Sequence, residues 1–338
     1  MRGSVVGQLN HIYRDSGIDR IGTSKHEADA KIREDLKAAG NSSPSKHELA
    51  EHRGIHGTGT RDNYLQVWKE FFNDQKAEYG KFDADKITAD DVERFLAEKI
   101  DRGVARATIK HDAAALEKLQ KAMNDLAQRE GRDTRHDWKQ TLREARERAV
   151  KELDKDHYDR SFLDPRAVVD ALKREDHQLV AKLQLEGGAR VSEASKIEAH
   201  QLAGIWTTRQ GQEVGGYCVH GKNGKIRAIT MSPDTYRQLE AHIEAKGQLK
   251  VDYDRYREGL LAAAQATGQF KEIEVQGRTS GQMKTVQDWG GTHGLRYNYA
   301  QESYKAHIEG GMAEREALAK VSYEMGHNRP DITRLYLG

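Results

Sequence analysis

Six side chains in the second half of this 338-residue chain are of types that bind oxyanions, move protons or attack electrophiles. Arg190 follows a Gly-Gly break in "EGGARVSE", and Lys222 lies between two strand-like runs in "VHGKNGKIRAI". His293 and Arg296 stand three apart after Gly290-Gly291, so they share a face of any helix that starts there. His327 precedes a Pro330-Asp331 helix start, and Tyr336 follows it by nine positions in "EMGHNRPDITRLYLG". A guanidinium is a planar fork of donors suited to anionic oxygens, and an imidazole can hold or pass a proton near neutral pH. Taken singly, each residue has an ordinary explanation. Charges beside glycines are common in loops, and a His-x-x-Arg arises by chance. A terminal tyrosine commonly packs its helix, here on the face that it shares with Thr333.

Composition narrows the classes. Charged residues make up 32% of the chain and mean hydropathy is −0.88, so no run approaches the roughly 18 apolar residues of a spanning helix. There is no apolar N-terminal stretch of signal-peptide type, and the single Cys218 has no partner for an internal disulfide. A soluble protein of the cytoplasm is expected, without a membrane partner. The 55 basic and 54 acidic residues nearly cancel, so bulk charge neither announces nor excludes a polyanion; clustering on one face would decide. The 15 histidines are dispersed without the paired spacings of a zinc site, and no metal is expected. Few prolines and abundant Ala, Glu, Lys, Arg and Leu predict a mostly helical chain.

The elements that must position the six residues follow in chain order. Residues 1–57 are polar and interrupted. A helix is predicted over "TSKHEADAKIREDLKAAG", and the region reads as a helical extension, either a docking arm or a solvated appendage. Over 58–131 three amphipathic helices are predicted. Tyr64, Leu65, Trp68, Phe71 and Phe72 form the first inward face, and Val92, Phe95, Leu96 and Ile100 the second, capped by Thr88. Ile109, Leu116, Leu119, Met123 and Leu126 form the third. Residues 132–160 read as a densely charged helix and linker. Residues 161–338 read as one domain that opens with three helical patterns ending at "RVSEASKIEAHQL". The one clear β signal comes next: "EVGGYCVHG" and "KIRAITM" flank Asn223-Gly224, a type I′ hairpin turn with Lys222 and Lys225 at its tip. A helical stretch over about 233–268 and a polar loop over about 274–291 lead to "THGLRYNYAQESYKAHIEGG".

In this order, "GARVSEASKI", "VHGKNGKIRAI", "HGLR" and "MGH" with a tyrosine nine residues on resemble the tyrosine recombinase, or phage integrase, family. The family's signature runs Arg, hairpin Lys, His-x-x-Arg, Gly-His, Tyr, and Ser192-Glu193 matches its "R-x-S-E" pattern. The resemblance covers about 58–338. It implies a mainly α protein with a small β-sheet or hairpin: a helical, SAM-like core-binding domain over 58–131 and a mixed α/β catalytic domain over 161–338. It further implies site-specific cutting and rejoining of DNA without metal, ATP or other cofactor, as an integrase- or excisionase-type enzyme of a mobile element. The implied partners are double-stranded DNA bearing recombination sites, further copies of the chain (a homotetramer on DNA, a monomer or dimer free in solution) and accessory DNA-bending factors. The implied location is the bacterial cytoplasm or nucleoid.

Metal-free phosphodiester cleavage needs a nucleophile, a leaving-group acid and donors for the non-bridging oxygens. By resemblance Tyr336 is the nucleophile, and Arg190, Arg296 and His327 hold the phosphate. His293 is general base or proton manager, Lys222 protonates the 5′-oxygen, and Glu193 supports an arginine. A phenol is ionised to about one part in a thousand at neutral pH, so neighbouring cations must assist. Lys225 is a rival for the hairpin lysine, and Tyr297, Tyr299 and Tyr323 are rival tyrosines. Arg106 and Lys110, at the start of the third helix, are candidate groove-facing residues, and Lys225 is a further candidate DNA contact. Ala189 and Met325 stand where the family usually has leucine, and the interval from Arg296 to His327 is longer than usual. Only Leu337 and Gly338 follow Tyr336, where many family members carry a helix exchanged between protomers. Two further readings stay open: a type IB topoisomerase-like enzyme sharing this chemistry, and a non-enzymatic DNA-binding regulator on the same scaffold.

Overall fold

Spacing of apolar residues accounts for most of the first seven helices of the computed structural model, which describes residues 3–80, 82–153, 159–209, 211–220, 226–276, 283–327 and 329–337. These are α1 (Val5–Asp15), α2 (Lys25–Ala38), α3 (Lys46–His52), α4 (Thr58–Tyr79), α5 (Ala89–Asp101), α6 (Arg106–Arg129) and α7 (Lys139–Glu152). In α4, Trp68 lies one turn from Phe71 and Phe72, and all three are fully buried; the Trp68 indole donates to the Ala115 carbonyl at 2.7 Å. α5 opens with a capping box in which Thr88 and Asp91 satisfy each other's backbone amides. The predicted inward faces of α5 and α6 are buried residue for residue. Between these helices Lys99 is buried against Asp112 at 2.7 Å and Glu70 at 2.9 Å, so its charge is matched where water is absent.

One expectation changes in this unit. Residues 1–57 are not a loose appendage throughout: Val5, Leu9 and Ile12 of α1 sit in the same core as Trp68 and Leu116. Ile18 and Ile55 are buried too, joined by a short parallel bridge in which the Ile55 amide donates to the Ile18 carbonyl at 2.8 Å. Only α2 buries no residue. The charged stretch after 131, read as a helix, contains α7, and its Trp138 and Leu142 join that core.

The second unit begins with α8 (Pro165–Asp170), α9 (Glu175–Gly187) and α10 (Val191–Ala194). Its strands are β1 (Lys196–Glu198), β2 (Leu202–Thr207), β3 (Glu213–His220) and β4 (Ile226–Met231), then β5 (Gln248–Lys250) after α11 (Pro233–Lys246). After α12 (Tyr253–Ala266) come β6 (Lys271–Gln276) and β7 (Met283–Asp288), and the chain closes with α13 (Gly294–Glu309), α14 (Glu314–Glu324) and α15 (Pro330–Arg334). β2, β3 and β4 form an antiparallel sheet with β3 central, while β1 pairs with β5 and β6 with β7. The predicted hairpin is present as β3 and β4, paired up to His220 opposite Ile226; Lys222, Lys225 and the turn itself lie outside the described residues. The third helical pattern is instead one helical turn followed by β1 and β2. The expected loop over 274–291 holds most of β6 and β7. Among the described residues no helix is long and apolar enough to cross a membrane. The core of this unit, from Phe162 to Leu295, packs α8, α9, α11 and α12 around Tyr217 and Ile229 of the central sheet.

The seating of α1 has a measurable consequence. Ile12→Ala should lower the stability of the first unit by about 2–5 kcal/mol, as for other buried isoleucines, read as a fall in its urea midpoint. An unchanged midpoint would mean that α1 is dispensable to the core.

Candidate active site

Arg296 is wholly buried in the first turn of α13. Its Nη1 donates to the Gly188 carbonyl, its Nη2 to the Met325 carbonyl at 2.7 Å and to His327 Nε2 at 3.0 Å. Gly188 ends α9 in the left-handed conformation (φ 58°), and a Cβ there would strike the Tyr299 ring at 2.4 Å. Glycine is therefore required for α9 to stop where its last carbonyls meet the guanidinium. Arg190 follows as the N-cap of α10; its amide bonds Glu193 Oε2 at 2.8 Å and its Nη1 bonds Glu193 Oε1 at 2.7 Å.

His327 is placed by the turn that ends α14. Gly326 takes φ 67°, its amide donates to the Tyr323 carbonyl at 2.9 Å, and the His327 amide donates to Ser322 at 2.8 Å, a Schellman closure. Because a guanidinium can only donate, Nε2 of His327 accepts from Arg296 and the ring proton belongs on Nδ1. Burial, and then the charges of Arg296, Arg190 and Arg227, push the His327 pKa down to about 3, so the ring is neutral at neutral pH. Burial and the Arg190 charge push Arg296 down to about 10, which still leaves it charged.

Tyr336 follows α15 and joins these groups. Its ring lies 5.1 Å from the His327 ring and 4.4 Å from that of Tyr297, and the Arg296 guanidinium carbon is 6.0 Å from its centroid. Gln301 donates to the Tyr336 carbonyl at 3.1 Å. The tyrosine is thus both packed and adjacent to the cations, so the packing and chemical readings of this residue are compatible. Among the rivals, the Tyr299 hydroxyl is engaged with Glu324 at 3.3 Å and its pKa is raised by burial and then by that charge. Tyr297 is buried beneath Tyr336, and Tyr323 is 68% exposed.

The remaining predicted residues distribute as follows. His293, exposed as a residue, is the N-cap of α13. Desolvation by the surrounding protein, and then the charges of Arg296, Arg160 and Arg190, lower its pKa. Glu193 is buried. Desolvation would raise its carboxyl, but the Arg190 amide and the charges of Arg227 and Arg190 prevail and hold it below the usual range. Arg106 is not free to face a groove, since its guanidinium donates to the Val150 and Leu153 carbonyls at the end of α7. Lys110 is exposed.

One residue escaped the sequence reading. Arg227 of β4 donates through Nη2 to Glu193 Oε2 at 2.6 Å and through Nη1 to the Glu324 carbonyl. No spacing marks it; a basic residue in a strand beside the hairpin lysines was the only hint. Two guanidinium groups, of Arg190 and Arg227, thus meet the single Glu193 carboxylate, and that of Arg296 is bonded to His327 and two helix-end carbonyls. Of the eight buried side-chain polar atoms without a partner among the described residues, four lie here: Arg227 Nε, Arg296 Nε, His327 Nδ1 and Thr333 Oγ1. Unpaired buried donors beside surplus positive charge are what an anion-binding site requires.

No family model matches the sequence, and no curated protein matches it. Solved structures match in fold. The XerH site-specific recombinase bound to palindromic difH substrate, in a post-cleavage complex, aligns with a TM-score of 0.58 at 15% identity, over 99% of this chain and 92% of that one. The Tn1549 transposon integrase in complex with transposon right end DNA aligns at 0.51 and 14% identity, over 94% and 95%. The same integrase with circular intermediate DNA gives 0.52 and 14%, over 86% and 93%. The chain has the fold of these proteins: mainly helical, with small antiparallel sheets.

The state of His327 is open to direct measurement. Nitrogen NMR of the histidine rings should show His327 neutral, with its proton on Nδ1, from pH 7 to about pH 4. An unfolded histidine binds its proton near pH 6.5, whereas His327 binds none until about pH 3. Stability is therefore full above about pH 6.5 and falls as pH drops toward 3. His327→Asn should flatten that part of the profile. A ring titrating near 6.5 would overturn the assignment.

Proposed function

We propose that this chain is a site-specific DNA recombinase, an integrase- or excisionase-type enzyme of a mobile element, acting through a 3′-phosphotyrosyl intermediate. The observation that carries this reading is the packing of Tyr336 on His327 and Arg296, 5.1 and 6.0 Å away, beside unpaired donors and surplus positive charge. A structural tyrosine has no need of such neighbours. A nucleophile that must develop phenolate character does.

In the proposed step Tyr336 Oη attacks the scissile phosphorus as the bond to the 5′-oxygen breaks. The departing electron pair stays on that oxygen, which takes a proton from Lys222, while the phenol proton passes to His293 or to water. Arg190 and Arg296 bind the non-bridging oxygens, and the Nδ1–H of His327 donates to the same phosphate. Attack of a 5′-hydroxyl on the phosphotyrosine reverses the step and rejoins the strand, conserving the bond energy. Nothing in this sequence of events consumes ATP or calls for a metal ion. The partner is duplex DNA, as in the solved complexes of the recombinase and the integrase that share the fold. Strand exchange between two duplexes by four copies is the assembly that suits paired cleavage. Contacts to the DNA backbone would supply most of the affinity, which should fall with salt.

A duplex enriched from a random-sequence pool by binding to the chain, nicked beside the cleavage position, supplies the test. Wild type should form a protein–DNA adduct that survives denaturation in EDTA. Tyr336→Phe should form none, and Arg296→Ala should reduce the rate about 100-fold or more, the scale of losing one oxyanion donor. An adduct with Tyr336→Phe equal to wild type would dismiss this chemistry. Tight binding with no adduct on any enriched duplex would favour a regulator instead. Supercoil relaxation without site preference would favour a topoisomerase.

A further inference from the structure

Arg227 is the second residue of β4, opposite Val219, with its side chain only 10% exposed. Its two terminal nitrogens reach different elements: Glu193 Oε2 at 2.6 Å and the Glu324 carbonyl at the end of α14. The other Glu193 oxygen holds Arg190 at 2.7 Å. Gly326 comes so close to the Arg227 stem that a Cβ there would meet Nε at 2.8 Å. One guanidinium therefore touches the carboxylate that orients Arg190 and the turn that carries His327.

Resting on the strand-cleavage reading above, we infer that Arg227 is a positioning residue for that reaction: it sets Arg190 through Glu193, and His327 through the Glu324 carbonyl and Gly326, without touching the scissile phosphate. Each Nη already holds a protein acceptor, Nε is buried against Gly326 and the side chain is only 10% exposed, so its donors are directed to the protein and not to the surface. The role calls for arginine. Its rigid fork spans two acceptors on different elements, whereas a lysine ammonium would satisfy one and leave the other unpaired in a buried place. The position in β4 adds a further link. Arg227 adjoins His220–Ile226, the last described pair of the β3–β4 hairpin, so that end of the hairpin is bonded to the same carboxylate and helix end that place the phosphate-binding groups.

Three nicked duplexes of the enriched sequence test this with the full chain: one with an ordinary scissile phosphate, one with a methylphosphonate there, and one with a 5′-bridging sulfur. The methylphosphonate lacks one charged non-bridging oxygen, and the sulfur leaves without needing a proton. Arg227→Met keeps the packed stem and removes both hydrogen-bond arms. Single-turnover cleavage by this variant should fall about 10- to 100-fold on the ordinary duplex, the usual cost of losing a residue that orients a reacting group, with DNA affinity unchanged. The deficit should shrink on the methylphosphonate and persist on the 5′-thio duplex, and Arg227→Lys should recover part of the rate. Cleavage within threefold of wild type would overturn the inference. So would an equal deficit on all three duplexes, or loss of the cooperative unfolding transition in both variants, since either makes Arg227 a residue of folding alone. Absence of an adduct with wild type on all three would instead sink the strand-cleavage reading itself.

Discussion

A guanidinium with no exposed surface must find acceptors inside the protein, and Arg296 finds them at two helix ends. The Gly188 carbonyl closes α9 and the Met325 carbonyl closes α14, so both acceptors sit where aligned peptide dipoles concentrate negative charge. The requirement runs in both directions. The carbonyls at the end of a helix lack intrahelical partners, and one side chain from the first turn of α13 supplies donors to two such ends. Three segments, the first 108 residues before the second and the third 29 after it, are thereby drawn to one point, and the groups between them have little freedom. Arg190 must emerge two residues after Gly188, and His327 two residues after Met325. Tyr336 follows within a short turn that begins at Pro330. Loss of the guanidinium would leave both carbonyls buried and unpaired, which is why the site and the packing of this unit are one problem.

The linear order of Arg190, Lys222, His293, Arg296, His327 and Tyr336 was legible because each stands beside a local marker: a glycine break, a hairpin turn or a helix start. Those markers predict where a side chain leaves the backbone, and for Arg190, Arg296 and His327 they place it next to its partners. They say nothing about which donors will already be occupied. Arg106 reads as a basic residue at a helix start and is spent on the end of α7. Arg227 reads as an ordinary strand residue and bridges Glu193 to α14. The difference between a free and an engaged arginine lies in carbonyls contributed from far along the chain, and no window of sequence contains them.

The helices of the first unit were legible for a related reason. Trp68, Phe71 and Phe72, or Val92, Phe95 and Leu96, repeat at a period that only a helix can bury on one side. The same period runs through Val5, Leu9 and Ile12, but Gln8, Asn10 and His11 dilute it, and Gln8 turns out to be buried with its amide on the Phe82 carbonyl at 3.0 Å. Polar residues that find partners across the fold look like solvent-facing residues in the sequence. Short strands hide for the opposite reason. Three residues, as in β1 and β5, are too few to show alternation. In "KEIEVQ" the alternation is present but diluted by charge, and in "MKTVQD" Met283 and Val286 fall on opposite faces of any strand, so both read as loop.

The charge balance around Arg296 bears on what the site is built to hold. Three guanidinium groups and one carboxylate leave two positive charges uncompensated among the described residues, in a place where desolvation raises the cost of each. The cost is visible in the lowered pKa values of Arg296 and His327, both of which carry repulsion from neighbouring arginines among their causes. A phosphodiester brings one negative charge, but attack by a phenolate brings the pentacoordinate arrangement to two. Under the proposed chemistry the fixed cations match the second state better than the first, and the difference lowers the barrier instead of merely tightening binding. A neutral His327 fits the same scheme. Its Nδ1–H can follow the growing charge on oxygen without adding a fourth cation that the site would have to hold apart when empty. Glu193 and Arg227 hold this imbalance in shape: one carboxylate keeps two guanidinium groups at fixed separation, and the second of them is bonded to the helix end that carries His327.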